Sequence, residues 1–271
     1  MVYEKAPRSV SQVNTYNRCP QQYYLSRIKK VWQKPAAWLA QGTAVHEAAE
    51  RYELSGRSMT LTEAEQAFVE AYYREINESA KETPNFSWWF ASGPYRGLTD
   101  IERREGIGIE QVGRYLAWYE KHPEEQIWST PGDEGKPAVE LGFEMDLGPK
   151  DDPIRVRGFI DAVVENTKTG KLVVRDNKTG KSPGDDFQLG VYAVAVAKTL
   201  GVDQPTEGDY WMGTSGKPTI PYDLSDWTED TVTEVFVELE DNLRAERFDP
   251  LPDPDKCRFC DVANSCEFAA G

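Results

Sequence analysis

The sequence predicts an α/β chain: a small mixed sheet flanked by helices, with a helical insertion at about residues 55–130. Three observations carry this. Up to residue 121 the chain consists mainly of segments with apolar residues at helical spacing. Residues 138–180 then switch to runs of alternating or β-branched residues separated by turn residues, the mark of strands. The strongly apolar run FQLGVYAVAVAKTL at 187–200 reads as a buried helix directly after them.

Residues 9–31 read as a helix that Ser9 or Ser11 caps, with Val13, Tyr16, Tyr23, Tyr24 and Ile28 on its apolar side. Pro20 interrupts it. A second helix covers 36–54 and carries Gly42, Val45, His46, Ala49 and Tyr52. Residues 62–80 and 100–121 are charged, amphipathic helices, and the Gly/Pro/aromatic stretch FSWWFASGPYRG loops between them. Residues 122–136 form a polar connector. AVELGFEMDLG, IRVRGFIDAVVE and KLVVRDNKTG are the three strands of a meander, joined at PKDDP and NTKTGK. Residues 207–222 return one or two strands to the sheet, and 228–247 form a long acidic amphipathic helix. The tail DPLPDPDKC is extended and leads into a cysteine loop.

Composition narrows the function. With 271 residues the chain buries a substantial core, and eight Trp, thirteen Tyr and ten Phe exclude a disordered chain. A net charge of −15 argues against a protein that coats nucleic acid, because such binding runs on phosphate neutralisation by Lys and Arg. A local basic groove in an acidic shell remains compatible with it. The opening MVYEKAPRSVSQ has no apolar signal core, and the longest apolar run, 191–197, is too short to span a bilayer. The expectation is a cytoplasmic protein with no membrane partner.

All four cysteines stand at the two ends of the chain: Cys19 near the start, and Cys257, Cys260 and Cys266 as C-x2-C-x5-C near the finish. Four thiolates gathered by the fold make one metal or cluster site that clasps the two ends together. A structural zinc and an iron–sulfur cluster both accept such a set.

The most pointed chemistry is Asp161, Asp176 and Lys178. Asp176 and Lys178 are two apart on one strand and leave the same face, with Asp161 on the strand before. Paired carboxylates suit a hard cation, and a lysine beside them suits a phosphate oxygen or an attacking water. Solvated strand-end charges are the plain alternative. His46 lies on an apolar helix face, as a core histidine or a ligand. Glu140 is on the first strand of the meander, and Gln188 and Tyr192 share one face of the apolar helix at i and i+4.

Taken in order, these pieces resemble the RecB-like branch of the PD-(D/E)xK nuclease superfamily, and within it the iron–sulfur exonucleases that include the CRISPR-associated RecB-like exonucleases and the AddB nuclease domain. SVSQVNTYNRCPQQYYL resembles the opening helix with the first cluster cysteine, and QGTAVHEAAE the glycine-to-histidine motif. GFID resembles the segment with the first metal-binding aspartate, VVRDNKTG the D-x-K-T-G strand, QLGVY the Q-x-x-x-Y helix and CRFCDVANSC the terminal cysteine trio. The resemblance implies a restriction-endonuclease-like core at about 137–222 in a single nuclease domain, 1–271, with a C-terminal helix and cluster-binding tail at about 228–271. It implies a [4Fe–4S] cluster on Cys19, Cys257, Cys260 and Cys266. It implies Mg2+ or Mn2+ on His46, Asp161, Asp176 and the backbone carbonyl of Asn177, with Glu140 helping a second ion about 4 Å away. Lys178 then orients or activates water, and Gln188 and Tyr192 position Lys178 or the DNA. The expected activity is exonuclease action on single-stranded DNA ends, with a recombination or replication protein as partner, in a prokaryotic or phage-infected cell. Trp88, Trp89, Phe90 and Tyr95 stack on unpaired bases or pack the insertion against the core. The reading from another class is a catalytically silent DNA-binding or assembly subunit, although such a relative would usually lose Asp176 or Lys178. Two features depart from the pattern: Arg175 stands before Asp176 where an apolar residue is usual, its side chain expected on the opposite face, and the chain is strongly acidic.

Overall fold

The structure, a computed structural model, describes residues 5–132 and 135–270. Asp133 and Glu134 of the polar connector lie outside the described residues, as do the first four residues of the opening segment. Eight α-helices and seven strands run in the order α1 (Val10–Arg18), α2 (Pro20–Tyr23), α3 (Ala37–Leu54), α4 (Leu61–Glu82), α5 (Gly97–Lys121), β1 (Glu125–Ile127), β2 (Val139–Leu147), β3 (Ile154–Asn166), β4 (Lys171–Lys178), α6 (Asp186–Leu200), β5 (Glu207–Met212), β6 (Lys217–Pro218), β7 (Tyr222–Asp223), α7 (Glu229–Arg244) and α8 (Pro254–Arg258) among the described residues. The result is a mixed α/β fold.

The chain divides into two compact units. The larger comprises residues 36–143 and 159–227. Its helical half is built on small residues. Ala40, Ala44 and Ala48 of α3 and Ala64 and Ala71 of α4 are all buried in one cluster with Phe68, Tyr72, Val112 and Tyr115. Short side chains let helix axes approach closely. Gly108 of α5 takes this to its limit, since a Cβ there would fall 2.0 Å from Phe68 Cζ. Thr60 and Glu63 close a capping box at the start of α4. The Gly/Pro/aromatic loop splits in two: Trp89 and Phe90 are buried, whereas Trp88 and Tyr95 are exposed. Trp89 belongs to the helical core and donates its indole N–H to Thr83 O at 2.9 Å.

The strands form one sheet in the order β1-β3-β4-β5-β6, with β2 also pairing β3 and β7 pairing β5. β3 and β4 are antiparallel neighbours, as a meander requires, but β4 and β5 are parallel. α6 is the crossover between them. It is buried over most of its surface, and Gly201 ends it in the left-handed conformation at φ 66°. β1 lies inside the expected polar connector. Its three residues carry no apolar alternation, and it exists because Glu125, Gln126 and Ile127 pair with the edge of β3.

The smaller unit comprises residues up to 35, then 144–158 and 228 onward. Ser9 caps α1, and Pro20 starts a new helical turn that relaxes into π-helix at Tyr24–Ile28. The first and last segments of the chain are tied repeatedly. The Tyr16 hydroxyl donates to Arg247 O at 2.5 Å, Arg18 to Lys256 O at 2.9 Å, Gln22 to Asp261 Oδ1 at 2.8 Å and Lys34 N to Asp261 O at 2.8 Å. Buried Arg8 pairs with Glu240 of α7. The tail is less extended than expected: Asp253 accepts from Lys256 N and caps α8, with Pro254 at its first position.

Candidate active site

Three elements of the larger unit bring acidic groups to one imidazole. α3 supplies His46. Gly42, one turn earlier, lies where a Cβ would come 3.3 Å from Thr179 Oγ1, so the glycine lets the helix approach the end of β4. β3 supplies Asp161, whose Oδ2 is 3.2 Å from His46 Nδ1 and accepts the Asn177 N–H at 2.7 Å. β2 supplies Glu140, whose Oε1 is 3.8 Å from the same nitrogen. Glu140 is strained: its φ of 44° is left-handed, a conformation that costs a non-glycine residue on the order of 1–3 kcal/mol.

The ligand atoms of His46, Glu140 and Asp161 all lie within 4.8 Å of one another, the only such trio of His, Cys, Asp and Glu among the described residues. Oxygen and nitrogen ligands about 2.1–2.4 Å from one divalent cation lie within that spread. The donor set fits a hard metal ion. Asp176 stands apart from the trio. Its Oδ1 accepts from Gln188 Nε2 at 2.6 Å, and its Oδ2 is 2.7 Å from Lys178 Nζ. That oxygen is buried and ion-paired but accepts no well-aligned hydrogen bond. Asn177 meets the site through its N–H, given to Asp161.

Lys178 is held on two sides. Nζ donates to Gln188 Oε1 at 3.1 Å and lies 5.2 Å from the Tyr210 ring centroid. Gln188 in turn donates to the Tyr192 hydroxyl at 2.7 Å. The i, i+4 spacing on α6 therefore joins Gln188 and Tyr192, and the amide bridges Asp176, Lys178 and the phenol. Tyr192 is buried, and that burial with the nearby Asp176 and Asp161 charges drives its pKa far up, so it stays a neutral hydroxyl. Tyr210 is a site residue that the sequence reading missed. It sits on β5 opposite Asp176 in the parallel register, a neighbour no local pattern reveals.

The trio opens into a cleft of about 650 Å³, which Thr43, Glu50 and Arg51 of α3 also line. The spacing 43, 46, 50 puts these on the His46 side of the helix. Burial lowers the pKa of His46, but the charges of Asp161, Glu140 and Asp176 override it and raise it to about 9. Burial raises Asp161 to about 7, helped by Asp176 and Glu140 and opposed by His46. At neutral pH the site therefore holds a proton that a cation must displace. Manganese binding at pH 7 should release about one proton, and affinity should fall as pH drops from 9 toward 6. Titration calorimetry in buffers of different ionisation enthalpy measures this directly; buffer-independent heats would rule it out.

In the smaller unit, one cavity is lined by all four cysteines, Cys19, Cys257, Cys260 and Cys266. Cys19 Sγ accepts from Leu251 N at 3.5 Å. No three of the sulfurs lie within 4.8 Å of one another. Sulfurs around a tetrahedral zinc at about 2.3 Å would be about 3.8 Å apart.

No helix is long and apolar enough to cross a membrane among the described residues. The chain is 54% identical to the Gene 69 protein of Mycobacterium phage L5, covering 96% of this chain and 95% of that protein. It is also 54% identical to the Gene 69 protein of Mycobacterium phage D29, covering 96% of each. A crystal structure of a Eubacterium rectale protein described as a candidate exonuclease aligns at 11% identity and a TM-score of 0.46, over 98% of this chain and 90% of that one, too distant to carry an argument. Residues 7–267 match the sequence pattern of the PD-(D/E)XK nuclease superfamily, whose members use divalent metal ions and bind DNA. With that match spanning nearly the whole sequence, the chain belongs to the PD-(D/E)XK nuclease superfamily.

Proposed function

We propose that this nuclease is a Mg2+- or Mn2+-dependent deoxyribonuclease of the RecB-like branch, acting as an exonuclease on single-stranded ends. The observation that carries the reading is the join of two groups: the His46, Glu140 and Asp161 trio, and the Asp176–Lys178–Gln188–Tyr192 network beside it. His46, Glu140 and Asp161 would hold the cation, and Asp176 would become a further ligand if its Oδ2 exchanged the Lys178 ammonium for the ion. A bound divalent cation supplies charge for the phosphoryl oxygens and lowers the pKa of water. Lys178 brings a positive charge to the pentavalent phosphate and takes up or orients the attacking water. Gln188 fixes where that ammonium group sits, and the buried Tyr192 hydroxyl fixes the amide. Asp161, anchored by the Asn177 N–H, is kept from turning away.

The test is digestion of DNA labelled at either end, single- and double-stranded, with Mg2+ or Mn2+. Shortening from the ends of single strands supports the reading. Internal cuts would make the enzyme an endonuclease, and inertness on every substrate would sink the catalytic reading. The phage relatives support a setting in a phage-infected host cell; a role in replication or recombination, with a protein of that machinery as partner, is part of the proposal.

The four cysteines are proposed to hold a [4Fe–4S] cluster that serves structure. Their shared cavity supports one centre held by all four. Every iron would be ligated by the protein, leaving no open position for chemistry. Anaerobically purified protein should be brown and carry about four irons per chain. Cys19→Ser should bleach it and lower the melting temperature by ~5 °C or more, since the cysteine ties the first helices to the tail. Colourless protein with stoichiometric zinc would refute the cluster, and unchanged melting of the variant would refute the clasp.

A further inference from the structure

Phe159 is an exposed aromatic beside the acidic trio, and neither the fold nor the chemistry described above uses it. It stands on β3 with 63% of its surface open, whereas its neighbour Ile160 is 1% exposed. It stands two positions before Asp161, so both side chains leave the same face of the strand, about 6.6 Å apart along it. On β2, Gly142 stands two positions after Glu140. The Phe159 ring lies over Gly142: a Cβ there would meet Cε1 at 3.2 Å and Cδ1 at 3.6 Å. The missing side chain leaves a seat for the ring, backed by strand backbone and open elsewhere. A residue held this way presents a flat apolar surface with little freedom left to lose on binding.

The trio and its cation deal with the charged backbone of a nucleic acid. They have nothing to offer the neutral, flat base carried by that backbone. An aromatic face offers what is missing. Stacking on it is tolerant of sequence because every base has a π-face. It also selects for unpaired bases, since a base within a duplex is already covered on both faces.

We propose that Phe159 is the platform on which a base next to the scissile phosphodiester stacks, and that it biases the site toward unpaired DNA. This rests on the nuclease reading above. The same ring could serve only the sheet, by covering a strand glycine, and the experiment separates the two. The full-length protein is titrated, with Ca2+ in place of the catalytic ion, into single strands carrying 2-aminopurine or an abasic site at successive terminal positions. Wild type should quench the 2-aminopurine at one position and bind the matching abasic strand about tenfold more weakly. Phe159→Ala should lose both the quench and the discrimination, Phe159→Trp should keep both, and all three should melt alike. If Phe159→Ala quenches and discriminates like wild type, the platform is overturned. If it does so while melting several degrees lower, Phe159 is a cover for Gly142 and nothing more. A wild type that cleaves DNA while Phe159→Ala is indistinguishable removes only this inference; a wild type that neither binds nor cleaves removes the nuclease reading and this one together.

Discussion

Lys178→Ala will reduce metal-dependent DNA cleavage by about 10²–10⁴-fold while leaving the protein folded and able to bind DNA. The magnitude is that of a positioned charge or proton donor acting in the transition state. The selectivity comes from geometry. Nζ of Lys178 meets groups of the site: Asp176 Oδ2 at 2.7 Å, Gln188 Oε1 at 3.1 Å and the Tyr210 ring at 5.2 Å. Its side chain is 29% exposed, so truncation opens no cavity in the core. Asp176 loses its counter-charge, but it keeps the Gln188 hydrogen bond and can take up a proton or metal ion. Single-turnover cleavage of a labelled strand, with binding measured in Ca2+, reads the two effects separately. Cleavage at the wild-type rate would remove Lys178 from the mechanism; loss of binding along with activity would make its role structural.

Arg175→Met will cost about 3–5 kcal/mol of stability, more than any surface substitution on this chain. Arg175 and Asp176 are sequence neighbours on opposite faces of β4, and the arginine face is as buried as a core. The guanidinium is 3% exposed and makes a two-pronged pair with Asp209 of β5, 2.7 Å at both contacts. It also reaches Glu125 of β1 at 2.6 Å and the Tyr119 hydroxyl of α5 at 3.0 Å. Removing it leaves Asp209, itself 4% exposed, as an unpaired buried charge. Arg175→Lys should recover only part of the loss, because a single ammonium cannot reproduce the fork. Adding Asp209→Leu to Arg175→Met should restore part of it, because the stranded charge is then gone. Urea denaturation measures all three; an Arg175→Met midpoint equal to wild type would show that the pair contributes nothing.

Much of the fold can be read locally. The three meander strands, the apolar helix at α6 and the amphipathic α4, α5 and α7 follow from periodicity, because burial on one face leaves its period in the sequence. The misses also have physical causes. β1 has three residues and no apolar pattern; it is a strand only because β3 offers an edge, and Glu125 lies there to reach Arg175. In the FSWWFASGPYRG loop, five aromatics look alike in sequence, yet Trp89 and Phe90 are buried, Phe86 is half-buried and Trp88 and Tyr95 are exposed. Which ring turns inward depends on helices that the loop itself does not contain.

The site divides along the same line. The residue types and spacings that suit metal-assisted hydrolysis are in the sequence: an aspartate on one strand, D-x-K on the next, a glutamine and tyrosine at i and i+4. Those spacings set which side chains share a face, a property of single strands and helices. Only the tertiary structure decides which atoms meet. It brings Glu140 into the close trio with His46 and Asp161, and it ties Asp176 to Lys178 and Gln188. It also brings Tyr210 under the lysine and lays Phe159 over Gly142. The reason is that a strand's period fixes direction but not depth or partner. The left-handed turn at Glu140 breaks the period outright, and the strain is offset by packing that the surrounding elements supply together.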